Sequence, residues 1–262
     1  MPTTLPARLQ PIGPTHDAAR LYSRARRNLL PRHERLVAVA GRWQHEHLRR
    51  LGVEPVVTLR CGDDAYPGTA RATYEISEKT LGRLHPGLSA PTLLSVVRLP
   101  PWRAADVLRP DSRLVLVADG IEYAGNLGTL VRTADAAGAD GLALTNAACR
   151  LTHPKVFEAS RGTVLTLPVL SYDRVGDARR DLAAAGFTAY VADPAAAQPY
   201  LEVDYGHRKV AIVVGSEGDG VAPEWRTPDL THVAIPMRGR ADSLNVAASA
   251  SILLFDARAR LR

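Results

Sequence analysis

The sequence predicts an α/β protein of two domains, the second built on a mainly parallel sheet covered by helices. Three observations predict it. From residue 113 onwards short apolar runs alternate with stretches of helical length, a pattern that lays strands side by side and parallel. A proline-rich break, Leu99-Pro-Pro-Trp-Arg103 and Leu108-Arg-Pro-Asp111, separates this half from an earlier α/β stretch. Three segments also join strand-like runs to small or polar residues, so their strand ends can converge on one pocket: Asn126-Leu-Gly-Thr-Leu-Val-Arg132, Val214-Gly-Ser-Glu-Gly-Asp-Gly220, and Ile235-Pro-Met237 followed by Ser243-Leu-Asn-Val246.

Residues 1–18 hold Pro2, Pro6, Pro11, Pro14 and Gly13 without hydrophobic periodicity, and read as a flexible leader. Residues 35–40 read as a buried strand, 43–51 as a helix stopped by Gly52, and 54–59 as a second strand. A helix begins in the stretch 74–81, with Ser77 as its cap, and 91–97 is a further strand. These elements make a small domain over 19–107, with the boundary near residue 108. The second domain, 108–262, reads as strand 113–118, helix 127–137, strand 141–145, helix 153–161, strand 164–170, helix 175–185 and strand 187–192. Strands at 209–214 and 231–235 then precede a final helix from Ser243 to Arg262, with Ser243 as its cap.

The chain has 262 residues, 46% hydrophobic and 23% charged, which excludes wholesale disorder and fibrous repeats. A net charge of +6 suits a polyanionic partner, because arginine and lysine displace the counterions of nucleic-acid phosphates. No stretch approaches the roughly 18 apolar residues of a membrane-spanning helix and the first ten residues lack a signal-peptide core, so the expected location is the cytoplasm. Cys61 and Cys149 stand far apart in no ligand-like spacing, and both read as reduced. His45 and His47 flank Glu46 but lie two apart, on different faces of a helix, so no metal site is expected.

Taken singly, each segment has a bland explanation. Asn126 can be a cap and Arg132 a solvated helix face; the glycines of 215–220 match neither GxGxxG nor GxxxxGK[ST]; Ser243 can simply start a core helix lined by small residues. In order and spacing, however, Asn126-x-Gly128-x-x-x-Arg132, Gly215-Ser-Glu-Gly-Asp-Gly220 and Ile235-Pro-Met237…Ser243-Leu-Asn-Val246 resemble the three motifs of the SpoU (TrmH-type) branch of SPOUT RNA methyltransferases, across residues 113–258.

That resemblance implies a trefoil-knotted catalytic domain that binds S-adenosyl-L-methionine, and a homodimer formed through the C-terminal domain. It implies a cofactor pocket of Val214, Gly215, Ile235, Met237, Ser243 and Leu244, with Ala192 at a neighbouring strand end. It assigns Asn126, Arg132, Glu217, Ser243 and Asn245 to the catalytic site, with Arg132 the catalytic arginine, and it makes Arg161 an added phosphate or cofactor contact. The implied reaction needs no metal: methyl transfer to a ribose 2′-hydroxyl of structured RNA, with 23S ribosomal RNA the preferred target. Transfer RNA, a ribosomal modification conferring antibiotic resistance, and a non-catalytic RNA-binding protein are the alternatives. The first hundred residues are similar to the L30e-like substrate-binding domain that often precedes this one, although Ala40 stands where such domains carry a glutamate before Gly41. Arg24, Arg26 and Arg27, within a run that also holds Arg20, Arg32 and Arg35, are its expected RNA contacts.

Overall fold

The computed structural model describes residues 9–63, 70–206, 208–216 and 218–261. The chain divides into two compact units: one holds the described residues up to Pro100 together with Thr152–Pro154, the other Pro101–Leu151 and Lys155–Arg262.

The first unit runs β1 (Pro11–Ile12), α1 (Asp17–Arg26), β2 (Leu36–Ala40), α2 (Arg42–Arg50), β3 (Val57–Cys61), β4 (Thr73–Ile76), α3 (Glu78–Leu84) and β5 (Thr92–Arg98). Its five strands lie in the order β1-β4-β3-β5-β2, with β5 antiparallel to both neighbours. Tyr22 and Ala19 of α1, Leu81 and Leu84 of α3, and Leu59, Leu94 and Val96 of the sheet form its core. His45 is wholly buried: its Nδ1 donates to the Gly41 carbonyl at 2.7 Å, so Nε2 is left to pair with Ser95 Oγ at 2.8 Å. This hydrogen bonding makes His45 a satisfied structural residue.

Several sequence expectations change here. Within the supposed leader, Pro11 and Ile12 pair with Glu75 and Ile76, and α1 starts at Asp17, capped by His16, whose Nδ1 accepts from the Ala18 amide; residues 1–8 lie outside the described part. Tyr74-Glu-Ile76 belongs to a strand; the helix starts only after Ser77, which does cap it by accepting from the Thr80 amide at 3.2 Å. The second strand begins at Val57, three residues later than expected, because Pro55 cannot donate to a ladder.

The second unit runs α4 (Ala104–Val107), β6 (Leu114–Asp119), α5 (Ala124–Ala136), β7 (Gly141–Thr145), α6 (Pro154–Ala159), β8 (Val169–Tyr172), α7 (Val175–Ala184), β9 (Phe187–Ala192), β10 (Lys209–Val214), β11 (Thr231–Val233) and α8 (Val246–Arg260). It starts at Pro101 rather than near 108, because Val107 is buried in its core with Val115, Val117, Val213 and Trp225. All six strands are parallel, in the order β11-β9-β10-β6-β7-β8. All six residues of strand β6 are buried, since helices cover both of its faces and leave no polar side to alternate. Helices α5 and α8 pack on each other and on β6, and α8 also packs on β10.

Three expectations shift in this unit. Residues 164–170 are not one strand: Thr163–Leu165 is a 3-10 turn and the strand is β8. Strand β11 ends at Val233. Helix α8 starts at Val246 with Asn245 as its cap, accepting from the Ala247 amide at 2.9 Å, whereas Ser243 lies in the loop before it. Both cysteines are free, and burial pushes each thiol above its ordinary range.

Candidate active site

The site begins with register. Val214 pairs with Ala118, Val213 with Val191 and Val233 with Ala192, so the parallel strands β6, β10, β9 and β11 end level with one another. Ligands of open α/β sheets bind at such carboxyl ends. Beyond β10 the chain turns sharply, and glycine decides how.

After β10, Gly215 comes so close to the returning chain that a Cβ on it would stand 2.1 Å from the Gly220 carbonyl carbon and 2.3 Å from the Val221 nitrogen. No side chain fits there. Ser216 and Gly220 then exchange backbone hydrogen bonds of 3.0 and 3.1 Å, and Asp219 donates its amide to Ser216 Oγ at 3.2 Å, closing a hairpin. Glu217, expected in the catalytic group, lies outside the described residues.

Asp119 fixes this hairpin, a role the sequence reading did not assign. Its carboxylate is 1% exposed; Oδ1 accepts from Thr145 Oγ1 at 2.7 Å and Asn146 Nδ2 at 2.8 Å, and Oδ2 from the Ala222 amide at 2.6 Å. Three donors satisfy the buried charge and tie the ends of β6, β7 and the 215–222 loop together. The signal was visible: Asp119 is the one charge at the end of the apolar run Leu114-Val-Leu-Val-Ala118.

Around the strand ends lies a cavity of about 300 Å³, and all seven expected cofactor positions line it: Ala192, Val214, Gly215, Ile235, Met237, Ser243 and Leu244. Asp193, Asp219 and Ser249 also line it and were not expected. Asp193 continues β9: its amide donates to the Val233 carbonyl at 3.0 Å and its Oδ1 accepts from the Ala195 amide at 2.9 Å. A volume near 300 Å³ reaches the small-molecule range, apolar walls suit a heterocycle, and bare backbone at Gly215, Gly218 and Gly220 admits close hydrogen bonding.

The polar pair comes together as expected. Asn245 Nδ2 donates to Asn126 Oδ1 at 3.4 Å while Asn245 Oδ1 caps α8, so one side chain joins the start of α5 to the start of α8. Gly128 permits the packing beneath: a Cβ there would meet Ala159 Cβ at 2.6 Å and the Val156 carbonyl oxygen at 2.7 Å, so α5 and α6 touch backbone to backbone. Arg132 is not brought to the cavity. It is exposed on α5 and, six residues beyond Asn126, lies about 120° around the helix and about 9 Å along it. Arg161 is exposed too, in left-handed conformation (φ 54°) just past α6. Arg24 and Arg27 are exposed at the C-terminal end of α1, where cations also complement the helix dipole, and Arg26 is half-buried.

Among the described residues, no helix is long and apolar enough to cross a membrane and no group of three His, Cys, Asp or Glu side chains could hold a metal ion.

The model of the SpoU rRNA Methylase family matches residues 113–255, the segment that carries every part of this cavity. The chain belongs to the SpoU rRNA Methylase family. Among its relatives is the 23S rRNA (guanosine(2553)-2'-O)-methyltransferase of Bacillus subtilis, 29% identical over 185 residues that cover 71% of this chain and 72% of that protein. A crystal structure of an RNA 2'-O ribose methyltransferase superposes with a TM-score of 0.72 at 29% identity, covering 96% of this chain and 99% of that one. The SpoU methyltransferase AviRb from Streptomyces viridochromogenes, in complex with AdoMet, gives a TM-score of 0.77 at 25% identity over 92% of this chain and 96% of its own. The two superposed structures are thus similar to the chain across both of its units, and the B. subtilis protein and the ribose methyltransferase are by name methyltransferases acting on RNA.

Proposed function

We propose that this SpoU family member transfers the methyl group of S-adenosyl-L-methionine to a ribose 2′-hydroxyl of structured RNA, with 23S ribosomal RNA as its substrate and the cytoplasm as its place of action. One observation carries the reading: seven residues scattered over 53 positions of sequence, Ala192 to Leu244, line a single cavity at the ends of parallel strands. Similarity to the B. subtilis 23S rRNA enzyme and to the AdoMet-bound AviRb structure supports the substrate and the cofactor.

The residues present fit the cofactor. Val214, Ile235, Met237 and Leu244 would give it apolar walls, Gly215 leaves backbone exposed to it, and the carboxylates of Asp193 and Asp219 would suit its cationic centre. Bound there, the cofactor supplies an electrophilic methyl carbon. What the chain contributes is position, because in-line displacement is accelerated chiefly by holding the hydroxyl against that carbon. The linked amides of Asn126 and Asn245, with Ser243 at the cavity wall, are the polar groups available to orient it. The Arg132 guanidinium offers donors and no acceptor, and because its own copy does not bring it to this cavity, its role is to steady the hydroxyl or its neighbouring phosphate at the cavity of a second copy.

The same reading includes a trefoil-knotted backbone in the second unit, an L30e-like RNA-binding first unit and a homodimer through α8. The strand order β11-β9-β10-β6-β7-β8, which inserts β10 between β9 and β6 and sets β11 on the far side of β9, supports the knot. For the dimer the support is Phe255, 51% exposed on α8, and Arg132 on the adjoining α5, a charged group a second copy can use.

Methylation of total RNA from cells lacking the chain tests the proposal: label at ribose 2′-oxygens of 23S rRNA is expected. Label on bases, or none despite measured cofactor binding, overturns it. Arg132→Ala should lower turnover at least about a hundredfold, as loss of one positioned charged donor does, while leaving cofactor affinity within twofold.

A further inference from the structure

A second cavity, of about 400 Å³, shares the walls Ser216, Gly218, Asp219 and Val246 with the cofactor cavity, so the two adjoin. Asn126 lines its side toward Asn245, and the loop Ile121-Glu122-Tyr123 forms its rim. Ile121 is 2% exposed and anchors this loop, whereas Tyr123, two residues on, is 65% exposed. Tyr123 occupies the N-cap position of α5 yet gives no side-chain cap, and N-caps favour Ser, Thr, Asp and Asn. Neither packing nor capping accounts for an aromatic ring held in water at the mouth of a cavity.

Charge says what can enter. Glu122 and Asp219 line this cavity, both exposed, and the described lining residues include no lysine or arginine. Carboxylates repel a phosphate and accept from the N–H edges of a nucleobase. A ring that lacks a protein partner is the surface on which single-stranded RNA bases stack.

We propose that this cavity receives the base of the nucleotide being methylated, with Tyr123 as the stacking surface against that base and the carboxylates of Glu122 and Asp219 facing its edge. The inference rests on the methyl-transfer reading above, because the cavity matters as a base site only if the adjoining one holds the methyl donor. Stacking fixes the sugar attached to the base, and so presents its 2′-hydroxyl across the shared wall beside Asn126.

The test uses the full chain, an unmodified 23S rRNA transcript and labelled S-adenosyl-L-methionine, with Tyr123→Phe and Tyr123→Ala compared to the native protein. Loss of the ring should raise KM for RNA by about five- to a hundredfold, the range lost when a stacked base loses its aromatic partner, while Tyr123→Phe stays within about threefold. Affinity for S-adenosyl-L-methionine by calorimetry should be unchanged in both variants. Tyr123→Ala with kcat/KM within twofold of native overturns the base site, and so does Tyr123→Phe as impaired as Tyr123→Ala, since that would assign the effect to the hydroxyl. A native protein that binds cofactor and methylates no ribose instead overturns the reading beneath it.

Discussion

Gly215 shows how a motif glycine earns its place by sterics alone. It is absent from the positions with left-handed backbone, so conformational freedom is not the reason; the reason is the Gly220 backbone, 2.1 Å from where a Cβ would stand. Backbone cannot swing aside as a flexible side chain can. Gly215→Ala therefore forces the 215–220 hairpin outward, with an expected cost of about 1–3 kcal/mol by thermal denaturation and a loss of cofactor affinity on the order of tenfold or more by calorimetry. Unchanged affinity would mean that the hairpin does not shape the cavity. Asp119 makes the complementary point: its carboxylate never enters the cofactor cavity, yet three hydrogen bonds from Thr145, Asn146 and Ala222 hold the hairpin against β6 and β7. That Val214, Gly215, Ile235, Met237, Ser243, Leu244 and Ala192 belong together was legible through the resemblance of the ordered motifs, and the structure gathers all seven around one cavity. Asp119, Asp193 and Tyr123 were less so, since a lone charge or aromatic in a loop has no spacing to mark it.

At the scale of elements, what could be read depended on how far local pattern and tertiary burial agreed. Strands β7, β9 and β10 were legible to the residue because continuous apolar runs bounded by polar residues have only one reading in a parallel sheet. Strand β4 was not, since Thr73-Tyr-Glu-Ile76 runs straight into the true helix α3 without a break and its burial comes from pairing with β3 and β1. The 3-10 turn at Thr163–Leu165 reads as strand in the sequence because its apolar residues Val164 and Leu165 are buried by packing, which a short run cannot distinguish from β burial. The start of α8 was misplaced by two good capping residues lying two apart. Asn245→Ala should cost about 1 kcal/mol in urea denaturation by removing the cap, and also loosen Asn126, while Ser243→Ala should change stability by less than about 0.5 kcal/mol. Equal costs would reverse the assignment. In the first unit, α1 and α3 are joined by Tyr22 Oη and His85 Nδ1 at 2.7 Å, and burial followed by the charge of Arg26 lowers the His85 pKa from its ordinary 6.5. A histidine depressed in the folded state takes up its proton more readily unfolded, so its stabilisation is complete above 6.5 and is lost as pH falls through the lower folded value. Hydrogen-exchange protection of α1 should therefore fall on acidification from pH 7 to 5, and His85→Asn, which keeps an acceptor but cannot titrate, should flatten that fall.

For the whole molecule, the overall charge conceals a division of labour. Residues 1–100 hold fifteen Lys and Arg against eight Asp and Glu, whereas residues 101–262 hold eighteen against nineteen, so the entire positive excess lies in the first hundred residues. The catalytic unit is close to neutral and its two adjoining cavities carry carboxylates at Asp193, Glu122 and Asp219, which suit a cationic cofactor and a base rather than a phosphate backbone. On the proposed reading, affinity for RNA phosphates comes chiefly from the first unit and the chemistry from the second. Counterion release makes such affinity fall linearly with the logarithm of salt concentration, by a slope of about 0.7 to 0.9 for each phosphate contacted. Arg24 and Arg27 are exposed at the end of α1, away from any buried contact that would confuse the reading. Changing both to Gln should reduce the salt slope of RNA binding by about 1.4 to 1.8, and leave calorimetric affinity for S-adenosyl-L-methionine unaltered. A slope that does not move would place the RNA path elsewhere on the protein, at Arg132 and Arg161 of the second unit, where the same double substitution would then produce the change.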